Sequence, residues 1–269
     1  MPAHWSLDDI DWDRFDPSKV DPELLKLVKA ASLVEHNGGE YTDFLCKVFD
    51  GDQAFLTEVR RWGVEEVQHG KALAKWATLA DPSFDFDSAF KRFVEGYRPF
   101  EEGATSSKRG SRTGELVARC IVETGTSSYY TAISKQAEEP VLAQICKKIA
   151  ADEFRHYKLF YDHMRRYQKL EGLGRFGRFR VALGRLGETE DDELAYAFYV
   201  ANTDPATAYD RVRDARNYTS RAFRQYGKEH VMKAAAMMLK AIGVPSNGHL
   251  AKAIGNMGWM FLRRRAQTG

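Results

Sequence analysis

The chain has 269 residues, 43% of them hydrophobic, which is enough to bury the core of one large domain with an appendage. Its 40 lysines and arginines nearly cancel 38 aspartates and glutamates, and a net charge of +2 argues against a dedicated nucleic-acid binder. No apolar run is long enough to span a membrane. The start, Met1 to Asp16, is acidic and polar and lacks the basic-then-apolar order of a signal peptide. Three scattered cysteines, Cys46, Cys120 and Cys146, read as reduced thiols rather than a disulfide frame. Both features point to the cytoplasm.

Taken in chain order, the elements are helical. Asp21 before Pro22 is an N-cap followed by proline at the first helical position. Apolar residues then recur at helical spacing (Leu24, Leu27, Val28, Ala31, Val34), which predicts one helix from Pro22 to Val48. A second helix is expected from Asp52 to Leu79, before Asp81-Pro82. Residues 81–112 form a looser connection, with a short helix near Phe86–Tyr97. A third helix spans Thr113–Glu138, and Pro140 opens a fourth that reaches Leu170. Helices of about 25 residues are roughly 40 Å long. Four of them with one long connection describe a four-helix bundle with a crossover. Residues 1–171 are read as this bundle. Residues 172–269 are read as a helical extension packed on it, with helices near Leu194–Asn202, Pro205–Tyr226, Glu229–Ile242 and Leu250–Arg265.

The chemistry lies in two short patterns. Glu66-Val-Gln-His69 falls in the second long helix and Glu153-Phe-Arg-His156 in the fourth. A spacing of three puts both side chains on one face, one turn apart. Glu35 sits in an apolar stretch of the first helix and Glu123 in one of the third, where solvated acids are unexpected. One Glu, one Glu-x-x-His, one Glu and one Glu-x-x-His along four helices make the ligand set of a ferritin-like dinuclear site. Four carboxylates neutralise two divalent ions, and two imidazoles supply nitrogen donors suited to iron. The expected cofactor is a pair of iron ions, with manganese as the alternative.

At these residues the sequence resembles the soluble acyl-carrier-protein desaturases of the ferritin-like superfamily. The likeness rests on Glu35 with Tyr41 and on Trp62-Gly-Val-Glu65-Glu66-Val-Gln-His69-Gly70. It also rests on Glu123 with Thr126 and on Asp152-Glu153-Phe-Arg155-His156. It implies two irons held by the six ligands, with Thr126 beside the oxygen-binding side. It further implies that Asp152 orients His69 and joins it to Trp62. The activity implied is O₂-dependent desaturation or oxygenation of an acyl substrate, free or carrier-bound. Electrons would come from a separate ferredoxin-like donor, since no nucleotide-binding unit is visible. A homodimer is expected.

The rival readings are a rubrerythrin-type ferroxidase or peroxide scavenger, a di-iron aldehyde- or amine-oxidising enzyme, and a structural metal protein without turnover. Gly38 and Gly39 follow Glu35 by three and four residues. They leave either room beside the metals, a close helix contact or a kink. Thr126 and Tyr130 share a face with Glu123. His163 is expected to be a bundle histidine. His4, His36, His230 and His249 show no partner pattern. Gly172 to Gly187 holds Arg175, Arg178, Arg180 and Arg185 and no acid, while Glu188 to Glu193 holds five acids. The arginines offer a basic face for an acidic carrier or ferredoxin, or a solvated helix face balanced by the acids.

Overall fold

A computed structural model describes residues 5–101, 103–188 and 192–267. His4 and part of the acidic run after Glu188 lie outside these. Among the described residues every regular element is a helix, and the fold is an all-α, ferritin-like bundle. The long helices are α1 (Pro22–His36) with α2 (Gly38–Val48), α3 (Gln53–Ala80), α5 (Arg112–Gln136) and α6 (Pro140–Glu171). A short α4 (Phe86–Gly96) lies in the crossover between α3 and α5. The remaining helices are α7 (Arg175–Gly187), α8 (Asp192–Asn202), α9 (Arg211–Arg224), α10 (Lys228–Ile242) and α11 (His249–Gln267).

Each long helix starts where a side chain satisfies its free backbone donors. Asp21 accepts from Glu23 and Leu24 N–H at 2.7 and 3.2 Å. Asp52 caps α3 at Phe55 N–H, and Ser111 caps α5 at Gly114 N–H. Glu139 caps α6 at Val141 and Leu142 N–H, ahead of Pro140. Helix α6 ends at Gly172, whose φ of 70° is the left-handed cap geometry glycine adopts without cost.

The first long helix differs from expectation, because it breaks at Asn37 (φ −79°, ψ 5°). Close approach to α3 explains the break. A Cβ at Gly38 would run into Glu66 Cβ, and one at Gly70 would run into the His36 backbone. The glycines therefore serve close packing and a kink. Gly39 is exposed, with nothing near where its Cβ would stand, so it lines no space beside the carboxylates. Helix α7 is also unexpected, for Gly177, Gly184 and Gly187 within it and Gly174 before it masked its periodicity.

Apolar burial forms two clusters. One joins Leu27, Leu33, Leu73, Trp76, Tyr130, Ile145 and Ile149 to Phe198 and Tyr218 of the tail. The other joins Phe44, Phe55, Trp62, Leu116, Ile121 and Phe160 to Ala182, Leu239 and Ile242. Residues 5–20, which include three short 3-10 turns, run along α6. Asp11 N–H donates to Gln144 at 2.9 Å, Asp16 N–H donates to Glu139 at 3.2 Å, and Lys75 sits over the Trp12 ring.

Candidate metal centre

The six residues singled out by spacing converge. Glu35 comes from α1, Glu66 and His69 from α3, Glu123 from α5, and Glu153 and His156 from α6. They form two groups of candidate ligand atoms, each within 4.8 Å of one another. One group is Glu35, Glu66, His69 and Glu153, and the other is Glu66, Glu123, Glu153 and His156. Glu66 and Glu153 belong to both, the position a bridging carboxylate needs.

Both imidazoles aim Nδ1 inward. His69 Nδ1 is 3.2 Å from Glu153 and 3.7 Å from Glu35. His156 Nδ1 is 3.0 Å from Glu66 and 3.6 Å from Glu123. All six side chains are largely buried, His69 completely. Each contributes one buried atom without a hydrogen-bond partner: Glu35 Oε2, Glu66 Oε1, His69 Nδ1, Glu123 Oε2, Glu153 Oε1 and His156 Nδ1. Burying such atoms unpaired is costly, and native chains avoid it unless something satisfies them. Four carboxylate oxygens and two imidazole nitrogens facing one another are the donor set of a pair of divalent cations.

The electrostatics agree. Burial, with Glu153 and Glu35 nearby, pushes the Glu66 carboxyl well above its usual range. Burial and Glu153 push Glu123 up to about 8. Burial would lower His69, but Asp152, Glu153 and Glu35 outweigh it and hold the ring's pKa well up. Glu123, Glu65 and Glu66 do the same for His156 against the same burial. Burial would raise Glu153, but the two histidines hold it down instead, so the buried acids and imidazoles are paired charge against charge.

The outer ring nitrogens are held crosswise. His69 Nε2 lies 3.0 Å from Asp152 of α6, and His156 Nε2 lies 2.9 Å from Glu65 of α3. Arg155 reaches both acids, at 2.6 Å from Asp152 and 3.7 Å from Glu65. Such acceptors fix ring orientation and leave Nδ1 free for a metal. Thr126 donates to Glu153, and Tyr130 donates to Glu35 at 2.5 Å.

One expected contact is wrong. The indole on Asp152 is that of Trp5, whose Nε1–H donates at 2.7 Å and whose ring stacks on His69 at 6.0 Å. Trp62 packs edge-on against His156 and Phe160, and among the described residues its N–H has no hydrogen-bond partner. It faces the other imidazole because it lies two turns before His69, on the α2-ward half of α3. Glu65 was missed as a functional residue, although it precedes Glu66 as Asp152 precedes Glu153. Tyr41 donates to Glu193 of α8 at 2.5 Å. His163 pairs with Glu58 and Arg166, away from the site.

Residues 47–172 match the fatty acid desaturase family. The chain is also similar to DesA2, assigned by name to the acyl-acyl-carrier-protein desaturases, of Mycobacterium tuberculosis strain CDC 1551 / Oshkosh. The same protein of strain ATCC 25618 / H37Rv matches equally. Identity is 28% over 103 residues, 37% of this chain and 34% of the relative. Over these stretches the chain is similar to fatty acid desaturases. The aligned stretch spans about a third of the length of the relatives it matches. The family match holds Glu66, His69, Glu123, Glu153 and His156, and Glu35 and Trp5 lie outside it.

Proposed function

We propose that the chain is a di-iron oxidoreductase that uses O₂ to desaturate or oxygenate an acyl-type substrate. The observation that carries the reading is the set of six orphaned, inward-facing donor atoms, one from each residue of the motif. The family match supplies the chemical class. Glu35 with His69 would hold one ion, Glu123 with His156 the other, and Glu66 and Glu153 would span both. Two irons, when bound, supply electrons to O₂ that one ferrous ion delivers less readily.

The chain's own residues set the surroundings. Asp152 and Glu65 keep each imidazole tautomer with its proton outward. Thr126 fixes one oxygen of Glu153 and Tyr130 one oxygen of Glu35, so each carboxylate keeps its other oxygen inward. Trp5 covers the His69 side and Trp62 the His156 side, which keeps water from both rings. Residues 1–171 form the metal-holding unit in this reading. A separate electron donor, a carrier-bound acyl substrate and a homodimer belong to the same proposal.

The test is metal content followed by turnover. Protein loaded anaerobically with Fe(II) is expected to hold about two ions per chain. With a ferredoxin reducing system and O₂, mass spectrometry should show loss of two hydrogens from, or gain of oxygen on, an acyl-carrier, acyl-CoA or free acid. Two irons with O₂ or peroxide consumption and no acyl product would favour a scavenger.

A further inference from the structure

Helix α7 is oriented against the usual sense of an amphipathic helix. Its protein side carries Arg178 and Ala182, only 6% and 5% exposed, and Arg178 donates to the Ala241 carbonyl at 3.1 Å. Its outer side carries Phe176, Phe179, Leu183 and Leu186, exposed by 74%, 44%, 51% and 40%. Steps of three, four and three make these a continuous stripe along one face. Leu170, near the end of α6, is also exposed, by 75%, but lies with Val48 and Tyr167 rather than on this stripe. Arg175 and Arg180 stand exposed on the same helix, and residues 172–187 hold no acid. A contiguous apolar surface of this kind marks an interaction site.

Charge selects the occupant. We propose that the α7 stripe seats on an anionic lipid surface, with its phenylalanines and leucines in the acyl boundary and Arg175 and Arg180 among the headgroups. A second copy of the chain would bring the same arginines against one another. An acidic carrier or ferredoxin would match the arginines, but Arg178 is buried and Arg185 is paired with Glu188, so only two of the four expected cations face outward. The larger part of this surface is apolar, and a lipid surface is the partner that satisfies an apolar stripe and flanking cations together. Glu188, the first acid after the helix, is drawn away by Arg109 and Arg185, and Glu193 is buried against Tyr41.

Helix α11, which like α7 packs on α10, repeats the composition. Met257, Met260 and Phe261 are 62%, 57% and 51% exposed, followed by exposed Arg263 and Arg264. Among the described residues no helix is long and apolar enough to cross a membrane, so the contact is at the surface. Binding to such a surface requires none of the oxidation chemistry.

The experiment is co-sedimentation of the full-length protein with phosphatidylcholine vesicles, with and without phosphatidylglycerol. Binding is expected only with phosphatidylglycerol, weakened by high salt. Phe176→Ser with Phe179→Ser, and separately Arg175→Glu with Arg180→Glu, should each weaken it about tenfold or more. Circular dichroism and metal content should stay at the wild-type level, because these side chains are exposed. As a second reading in an otherwise intact chain, Leu183→Trp should show a blue-shifted emission with the anionic vesicles alone. Equal or absent binding to both vesicle types would overturn the proposal, as would binding that ignores these substitutions. A dimer that Phe176→Ser dissociates in analytical ultracentrifugation would assign the stripe to a second copy instead. An acidic carrier protein bound without vesicle binding would assign it to that partner.

Discussion

Glu65 and Asp152 each stand one position before a candidate ligand glutamate, and each crosses to the histidine of the opposite helix. The sequence unit is acid-Glu-x-x-His, present twice, and the fold sets the copies face to face. Asp152 was legible from family likeness, whereas Glu65 was legible only from this internal repetition. Trp5 was legible from neither, because its partner lies 147 residues away and only the path of the N-terminal strap brings them together. Both acids accept a ring N–H, so both should matter for metal retention. Asp152→Asn and Glu65→Gln are each expected to weaken metal binding on the order of 10–100-fold, as read by chelator competition, with unchanged helicity. Trp5→Phe keeps the stacked ring and removes one donor to Asp152, so its effect should be smaller. Wild-type retention in Glu65→Gln would leave His156 oriented by packing against Trp62 alone.

At the scale of the elements, boundaries of α3, α5 and α6 followed from caps and prolines, but the break between α1 and α2 did not. Helical periodicity runs on through Asn37, and only the contact with α3 requires the kink. The adjacent glycines separate the two causes. Gly38→Ala would push a methyl into Glu66 Cβ, and such overpacking costs about 1–3 kcal/mol. Because the displaced residue is a proposed bridging ligand, metal occupancy should fall with stability. Gly39→Ala meets open solvent and should be neutral or stabilise by about 0.4–1 kcal/mol. Thermal denaturation of the pair reads both, and equal losses would remove close packing as the reason for glycine at position 38.

The α1–α3 contact also carries a pH dependence. Lys29 of α1 donates at 2.5 Å to Asp81, just past α3, and this bond with that from Ser83 holds the Asp81 carboxyl down from 3.8 to about 2. A carboxyl lowered on folding stabilises above its unfolded pKa and loses that contribution as pH falls through the folded one. Stability should therefore drop between about pH 3.8 and 2 in the wild type. Asp81→Asn should flatten that part of an acid titration of unfolding, and an unchanged slope would dismiss the pair as a source of acid sensitivity.

Over the whole molecule, the two apolar clusters lie on opposite sides of the ligand layer. In α3 one cluster ends at Trp62 and the other begins at Ala72, with Glu66 and His69 between. In α6 one ends at Ala150 and the other begins at Tyr157, with Glu153 and His156 between. The bundle is thus two apolar halves separated by a polar slab of four carboxylates and two imidazoles. Motif spacing revealed the slab, because each half of it is local in sequence. The clusters' tail members, such as Phe198 and Leu239, were out of reach of local pattern, since they depend on long-range docking. Under the proposed function, metal would be the cross-link that makes the slab favourable. Ligand binding to the folded state alone adds about 2.7 kcal/mol at a concentration a hundred times its Kd. Anaerobic Fe(II) or Mn(II) should accordingly raise the Tm of the wild type. Glu123→Leu removes one buried acid and lets apolar packing reach across the slab between Ile121 and Tyr130. Replacing a buried charge by an apolar side chain of similar volume is often neutral or stabilising. The metal-free variant should melt at or above metal-free wild type, and its response to metal should largely vanish. The order of the two proteins should thus reverse when metal is added. A wild-type Tm indifferent to both ions, or a variant that still responds fully, would mean that this slab is not held together by metal.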